Sequence, residues 1–418
     1  VDPPDLSVLR SRFPALSRTL DGRPCVFVDA PGGSQVPDTV IEAIADYLRR
    51  SNSNTHGAFA TSRETDEVIA AARRAAAAFT GAAPDEIVFG PNATTLLFAL
   101  SRSVGRTLGP DDEVVVTRLD HDANIRPWLM AAEDAGATVR WVDIREEDVT
   151  LDPGGFEAAL TERTKVVAFT LASNAVGTVT PVDEIVRMVH ERAPHALVAV
   201  DAVHLAQHRT LDLHGLGVDV LACSPYKFFG PHLGMLAARR ELLERLRPYK
   251  VRPAEDEVPD RWETGTRNHE GLAGLVATVG YLAEIGRAWG PGRLLESPRT
   301  FVGAGMEAIR SYERELTVRF LDGAARITQL RLYGIADRDR VDERTPTFAI
   351  RLGDRHPLET ATALGERGVF VWDGHYYALE LMERLGLQER GGAVRIGFCH
   401  YNTPDEVDRV LEELETLA

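Results

Sequence analysis

Two residues, Asp201 and Lys227, have types and positions that point directly to chemistry. Asp201 closes Leu-Val-Ala-Val-Asp, a run so apolar that a carboxylate there needs a partner or a cofactor. Lys227 follows in Ser224-Pro-Tyr226-Lys227-Phe-Phe-Gly230-Pro231, just past the next apolar run. On adjacent strands of one sheet, both groups face the same crevice. Pyridoxal phosphate chemistry needs this pair. The amine forms a Schiff base, and the carboxylate keeps the pyridine nitrogen protonated so that the ring accepts electrons from a substrate carbanion. Taken alone, the pair also fits a turn-capping aspartate and a solvated lysine.

Three further positions favour the first reading. His121 follows Glu-Val-Val-Val-Thr-Arg-Leu-Asp at a strand's C-terminal end, where an imidazole can stack on a pyridine face or serve a purely structural role. Thr94 and Thr95 follow the turn Gly90-Pro-Asn-Ala and open a helix. Hydroxyls and free N–H groups at a helix start suit a phosphate, and equally an ordinary cap. Arg395 sits inside Ala-Val-Arg-Ile-Gly-Phe. A charge among apolar neighbours needs an anion, either a substrate carboxylate or a structural partner.

The elements that must position these groups are legible as alternating patterns. Thr65–Thr80, Thr94–Thr107, Ile125–Ala135 and Val182–Arg192 read as helices. Glu86–Gly90, Glu113–Thr117, Thr138–Asp143, Lys165–Thr170, Leu197–Asp201, Val218–Cys223 and Gly234–Ala237 read as strands. Continuously apolar strands separated by helices predict an α/β fold with a mostly parallel sheet covered on both faces, and functional groups at the strand C-terminal ends. A domain boundary is expected in the helix from Gly271 to Ala288. Beyond it the texture is α+β: helices over Arg299–Tyr312, Leu316–Leu330, Leu358–Gly365 and Pro404–Leu417, with strands over Thr347–Leu352, Val369–Trp372 and Ala393–Phe398.

Composition excludes several classes. The 418 residues are 44% apolar and 26% charged, an ordinary globular balance. The net charge of −16 disfavours nucleic acid as a partner. No apolar stretch is long enough to span a membrane, and the charged, proline-broken start does not read as a signal peptide. Cys25, Cys223 and Cys399 are too few and too scattered for a disulfide frame or a zinc site, which suits a cytoplasmic protein. G-x-G-x-x-G, Walker A, H-E-x-x-H and G-x-S-x-G motifs are all missing. No metal is expected.

With these residues in place, the chain resembles the class V aminotransferases, fold-type I pyridoxal phosphate enzymes that include the cysteine desulfurases. The likeness runs from Val28-Asp-Ala-Pro-Gly-Gly33 to Tyr401-Asn-Thr403. It is nearest in kind to the cysteine desulfurase-like group. The resemblance implies a large cofactor-binding domain over residues 25–285 with a mostly parallel seven-stranded sheet. It also implies a smaller α+β domain over 286–418, and an N-terminal arm over 1–24 packing against that domain. It implies a homodimer with shared active sites and an amino acid substrate.

Roles carry over position by position. Lys227 matches the Schiff-base lysine, Asp201 the aspartate on the pyridine nitrogen, and His121 the ring-stacking histidine. Thr94, with Ala93 beside it, and Ser224 match phosphate binders, and Thr266 matches a threonine lent to the partner's phosphate. Asn174 matches an asparagine near the phenolic oxygen and substrate, His56 an active-site histidine, and Arg395 the holder of the substrate α-carboxylate.

Departures from the family pattern bear on the reaction. The segment expected to carry the desulfurase cysteine reads Trp372-Asp-Gly-His375-Tyr376-Tyr377-Ala. A persulfide needs a thiolate on a reachable loop. Of the three cysteines, Cys399 follows the Arg395 strand closely enough to merit a test. His204 stands where desulfurases have glutamine, and Tyr226 where they have histidine; both are assigned to the cofactor, Tyr226 to its phosphate and His204 to its phenolic oxygen. Arg267 replaces a proline and is read either as an added phosphate or substrate contact or as a surface arginine. His375 and Tyr377 are assigned to the substrate pocket. The expected activity is an aminotransferase or a C–S/β-lyase. The alternatives are a cysteine desulfurase using Cys399 or an external thiol, an epimerase, and a non-catalytic binding protein that has kept the fold.

Overall fold

Apolar, largely β-branched runs form a seven-stranded sheet made of β1 (Ile87–Gly90), β2 (Glu113–Thr117), β3 (Thr138–Val142), β4 (Thr164–Thr170), β5 (Leu197–Asp201), β6 (Val220–Cys223) and β7 (Gly234–Ala238). The computed structural model describes residues 6–289 and 297–418. The first residues of the expected arm, and residues 290–296 just past the expected boundary, lie outside the described residues.

The strand order is β1-β7-β6-β5-β4-β2-β3, and only β7 runs antiparallel to its neighbours. The central strands are buried on both faces, which is why their sequences carry no polar alternation. The register sets Asp201 beside Thr170 on one side and Ala222 on the other. The residues that follow β2, β5 and β6 therefore emerge at one edge of the sheet.

Helices cover the sheet. The helix Ala60–Thr80 ends at Gly81, whose φ of 68° a side chain would resist. The helix Ala93–Gly105 is capped by Asn92, whose side chain accepts from the Thr95 amide at 2.8 Å.

A second sheet, β8 (Leu330–Tyr333), β9 (Thr347–Leu352), β10 (Trp372–Gly374) and β11 (Ala393–Gly397), has the order β8-β9-β11-β10 and is antiparallel throughout. Two expectations change here. Arg299–Tyr312 and the first part of Leu316–Leu330 belong to one helix, Pro298–Ala324, which ends before Leu330 begins β8. The charged stretch between the two expected helices contains Glu313, which is buried and bound to His208 rather than solvated. The expected strand Val369–Trp372 is two: Val369–Phe370 pairs with Val26–Phe27, while Trp372 begins β10 beside Arg395. Arg10, near the start of the described chain, reaches Glu406 at 2.7 Å. No helix among the described residues is long and apolar enough to cross a membrane.

The core under this second sheet is aromatic. The Phe320 ring lies 4.2 Å from that of Phe348 and 5.6 Å from that of Phe398, all fully buried. Phe348→Ala leaves a cavity there and is expected to cost about 3–5 kcal/mol, read as a lowered urea midpoint. A change under about 1 kcal/mol would contradict this packing account.

Candidate active site

Lys227 ends the short turn Pro225–Lys227 that follows β6. Its Nζ donates to the Pro31 carbonyl and lies 5.0 Å from the centre of the Tyr226 ring. Burial brings its pKa down to about 7; the Arg395 charge adds to this and Asp201 opposes it. Asp201 sits at the end of β5, its Oδ1 accepting from the Val203 amide at 2.8 Å. Burial raises its carboxyl to about 6 against that hydrogen bond and the Lys227 charge.

His121 caps the turn Asp122–Asn124 through Nδ1, which accepts from the Ala123 amide at 3.0 Å. Nδ1 as acceptor leaves Nε2 to carry the proton in the neutral ring. Burial first, then Lys227, Arg395 and His375, depress its pKa to about 4.

Beneath His121 lies a group the sequence reading missed. Asp120 is fully buried, accepts from Thr117 and from Asn124 Nδ2 at 2.7 Å, and is raised to about 8, mainly by burial. It fixes the turn that carries His121. Its place beside His121 in Leu-Asp-His-Asp was the available signal.

Arg395 enters from β11. Its Nη1 donates to the Asn174 carbonyl at 2.8 Å, and its guanidinium lies 4.4 Å from the Tyr376 ring centre. Burial lowers its pKa to about 10. The Asn174 side chain donates to the Tyr376 carbonyl at 2.8 Å, tying the segment after β10 to the large sheet. His204 Nε2 lies 3.2 Å from Thr345 Oγ1.

These groups line one cavity of about 880 Å³, together with Ala93 and Thr94 at the helix start, Ser224 and Tyr226 before the lysine, and His375 and Tyr377 on the lip. Two expected residues are not brought to it. His56 stands in an exposed turn with Nδ1 3.5 Å from Asp66. Thr266 is exposed, and is also not among the lining residues. The expected phosphate or substrate contact of Arg267 is not seen. It is bound to Glu263 and Asp260, which Arg73 also holds at 3.0 and 2.9 Å. Trp372, Phe98 and Arg126 line the cavity without having been anticipated. All three cysteines are free and buried, and none lines it. Burial pushes the Cys223 and Cys399 thiols well above their ordinary range.

This fold and this cavity define a fold-type I pyridoxal phosphate enzyme. Residues 26–289 and 299–410 match the Aminotransferase class-V model, and the chain belongs to that family. It is 35% identical to a probable cysteine desulfurase of Mycobacterium leprae, over 98% of this chain and 96% of that protein. Against a probable cysteine desulfurase of Streptomyces coelicolor the identity is 32%, with 98% and 96% covered. An apo cysteine desulfurase structure from Thermococcus onnurineus superposes with a TM-score of 0.87 at 26% identity, covering 98% of this chain and 97% of that one. These names favour the desulfurase alternative over the expected aminotransferase or C–S/β-lyase.

The family implies pyridoxal phosphate, and the cavity's own chemistry fits it. Asn174 Oδ1, His204 Nδ1 and Arg395 Nε are buried without a partner among lining residues. Unpaired polar atoms of this kind are costly unless a ligand or water meets them.

Proposed function

We propose that the chain is a pyridoxal phosphate enzyme that breaks the Cβ–S bond of a cysteine-type amino acid and hands the sulfur to a thiol from outside its own sequence. The observation that carries this reading is the meeting of Lys227, Asp201, His121 and Arg395 in a cavity that no cysteine of the chain lines. The relatives' names support C–S chemistry.

In this reading Thr94, Ser224 and the main chain at Ala93 hold the phosphate, with Thr266 supplied across a homodimer and Tyr226 adding its hydroxyl. His121 packs on the ring face, Asp201 keeps the ring nitrogen protonated, and Asn174 and His204 serve the phenolic oxygen. When bound, the cofactor supplies an electron sink for a carbanion at Cα. Lys227, with a pKa near 7, moves the Cα proton as acid and base. Arg395 grips the substrate carboxylate with a buried, desolvated fork.

Incubation of the loaded enzyme with L-cysteine and dithiothreitol tests this. Alanine with sulfide, quantified by mass spectrometry, is the expected result. Pyruvate without alanine would make the enzyme a lyase. Neither product would sink the reading and favour amino transfer, which the absence of a cysteine from the cavity lining also suits. Cys399→Ala is expected to leave alanine formation within about twofold, because a buried thiol with a raised pKa is a poor acceptor. A loss of tenfold or more would return Cys399 to the reaction.

A further inference from the structure

The segment from Trp372 to Tyr377 shows features that cysteine as a substrate leaves unexplained. Tyr376 and Tyr377 both have positive φ, 54° and 58°. Bulky residues in that region are strained, and such strain persists where the surroundings hold it in place. Here they do. The Tyr377 carbonyl accepts from the Asp122 amide at 2.7 Å, and the Tyr376 carbonyl from Asn174 at 2.8 Å. The Tyr376 hydroxyl donates to the Ala393 carbonyl, and its ring covers Arg395. The Tyr377 ring stacks on His121 with centroids 5.4 Å apart. Trp372, paired with Arg395 across the strands, lies so close to Gly32 that a side chain there would run into the indole. The segment is thus tied to residues that follow strands of the large sheet and to β11 of the second sheet.

What it presents to the cavity is aromatic surface that the described residues of the chain leave exposed. Trp372 is 48% and Tyr377 67% exposed, and both line the same cavity. Phe98 faces that cavity from the helix Ala93–Gly105. Uncovered aromatic rings at the mouth of a pocket mark a surface that a ligand completes.

We infer that Trp372 and Tyr377 are specificity-determining residues, and that the site also takes a cysteine whose sulfur carries an apolar, preferably aromatic, group. The inference rests on the proposed Cα-carbanion chemistry of this site and adds a second substrate class, for which elimination replaces sulfur transfer. A sulfur that carries a second carbon substituent leaves as a complete thiol, so this elimination needs no sulfur acceptor. For S-phenyl-L-cysteine, the Cβ–S bond breaks with its electron pair on sulfur, which takes a proton. One water is consumed, and thiophenol, pyruvate and ammonium are formed without oxidant or reductant.

Two non-cleavable isosteres test the binding. L-homophenylalanine mimics S-phenylcysteine, and L-2-aminobutyrate mimics cysteine. Calorimetric titration of the holoenzyme is expected to give a dissociation constant at least about tenfold lower for homophenylalanine. Trp372→Ala and Tyr377→Ala should each bring the ratio of the two constants toward one, while Tyr377→Phe keeps it. Because Tyr377 touches His121, the Trp372 variant provides the independent check. Equal binding of both isosteres by the wild type would overturn this inference while leaving the amino acid reading intact. A ratio unchanged in both alanine variants would remove the assigned residues. Binding of neither isostere would overturn both readings.

Discussion

Lys227→Ala is expected to lose turnover by at least about a thousandfold and to lose the visible absorbance of the bound cofactor. The size follows from the two tasks the amine performs, covalent attachment and proton transfer at Cα, each worth orders of magnitude. The same residue sets a pH dependence. Burial and the Arg395 charge favour the neutral amine, with a pKa of about 7. Below that value the group is an ammonium and cannot attack an aldehyde. Uptake of pyridoxal phosphate by the apo chain should therefore rise about tenfold per pH unit up to about 7, then level off. A solvated lysine, with a pKa of about 10.4, would keep accelerating for three further units. Stopped-flow absorbance at a series of pH values reads the difference, and a rate still climbing at pH 9 would contradict the buried geometry.

Arg395→Gln is the second large effect. The guanidinium is buried, bound through Nη1 to the Asn174 carbonyl, with Nε unpaired. Truncating a desolvated charge that meets an anion costs about 2–5 kcal/mol, so KM for an amino acid substrate should rise about 30-fold or more. Lysine should rescue little, since a point charge does not reproduce the planar fork. The control is cysteamine, which lacks the carboxylate: wild type and variant should handle it alike. If Arg395→Gln impairs cysteamine as much as cysteine, the residue merely holds Asn174 and the Tyr376 segment in place.

What could be read in the sequence was what one segment determines by itself. Glu113–Thr117, Leu197–Asp201 and Thr347–Leu352 were found at their observed bounds, the first two from nearly continuous apolar runs and the third from its alternation. Asp201, Lys227 and Arg395 stood out as charges at or beside apolar runs, and the two sheets together bring all three to one cavity. What stayed hidden depends on contacts between distant segments. The helix Pro298–Ala324 was read as two, broken at Glu313-Arg314-Glu315, where Glu313 is buried with His208 2.8 Å away. Arg267 looked available for a ligand because Glu263 and Asp260 are recognisable as its partners only in three dimensions. The helix Asp38–Arg50 was not picked out; within it Val40 and Tyr47 are buried, while Ile41 and Leu48 face outward. The expectation of an aminotransferase or C–S/β-lyase rested on the missing loop thiol, whereas the relatives carry desulfurase names.

The most direct test of the account is to load the protein with pyridoxal phosphate, reduce it with borohydride, digest it and map the modified residue by mass spectrometry. The account predicts a single stable adduct on Lys227, blocked when a tight amino acid ligand is added first. An adduct on another lysine, or none at all, would contradict the assignment of this cavity and the chemistry built on it.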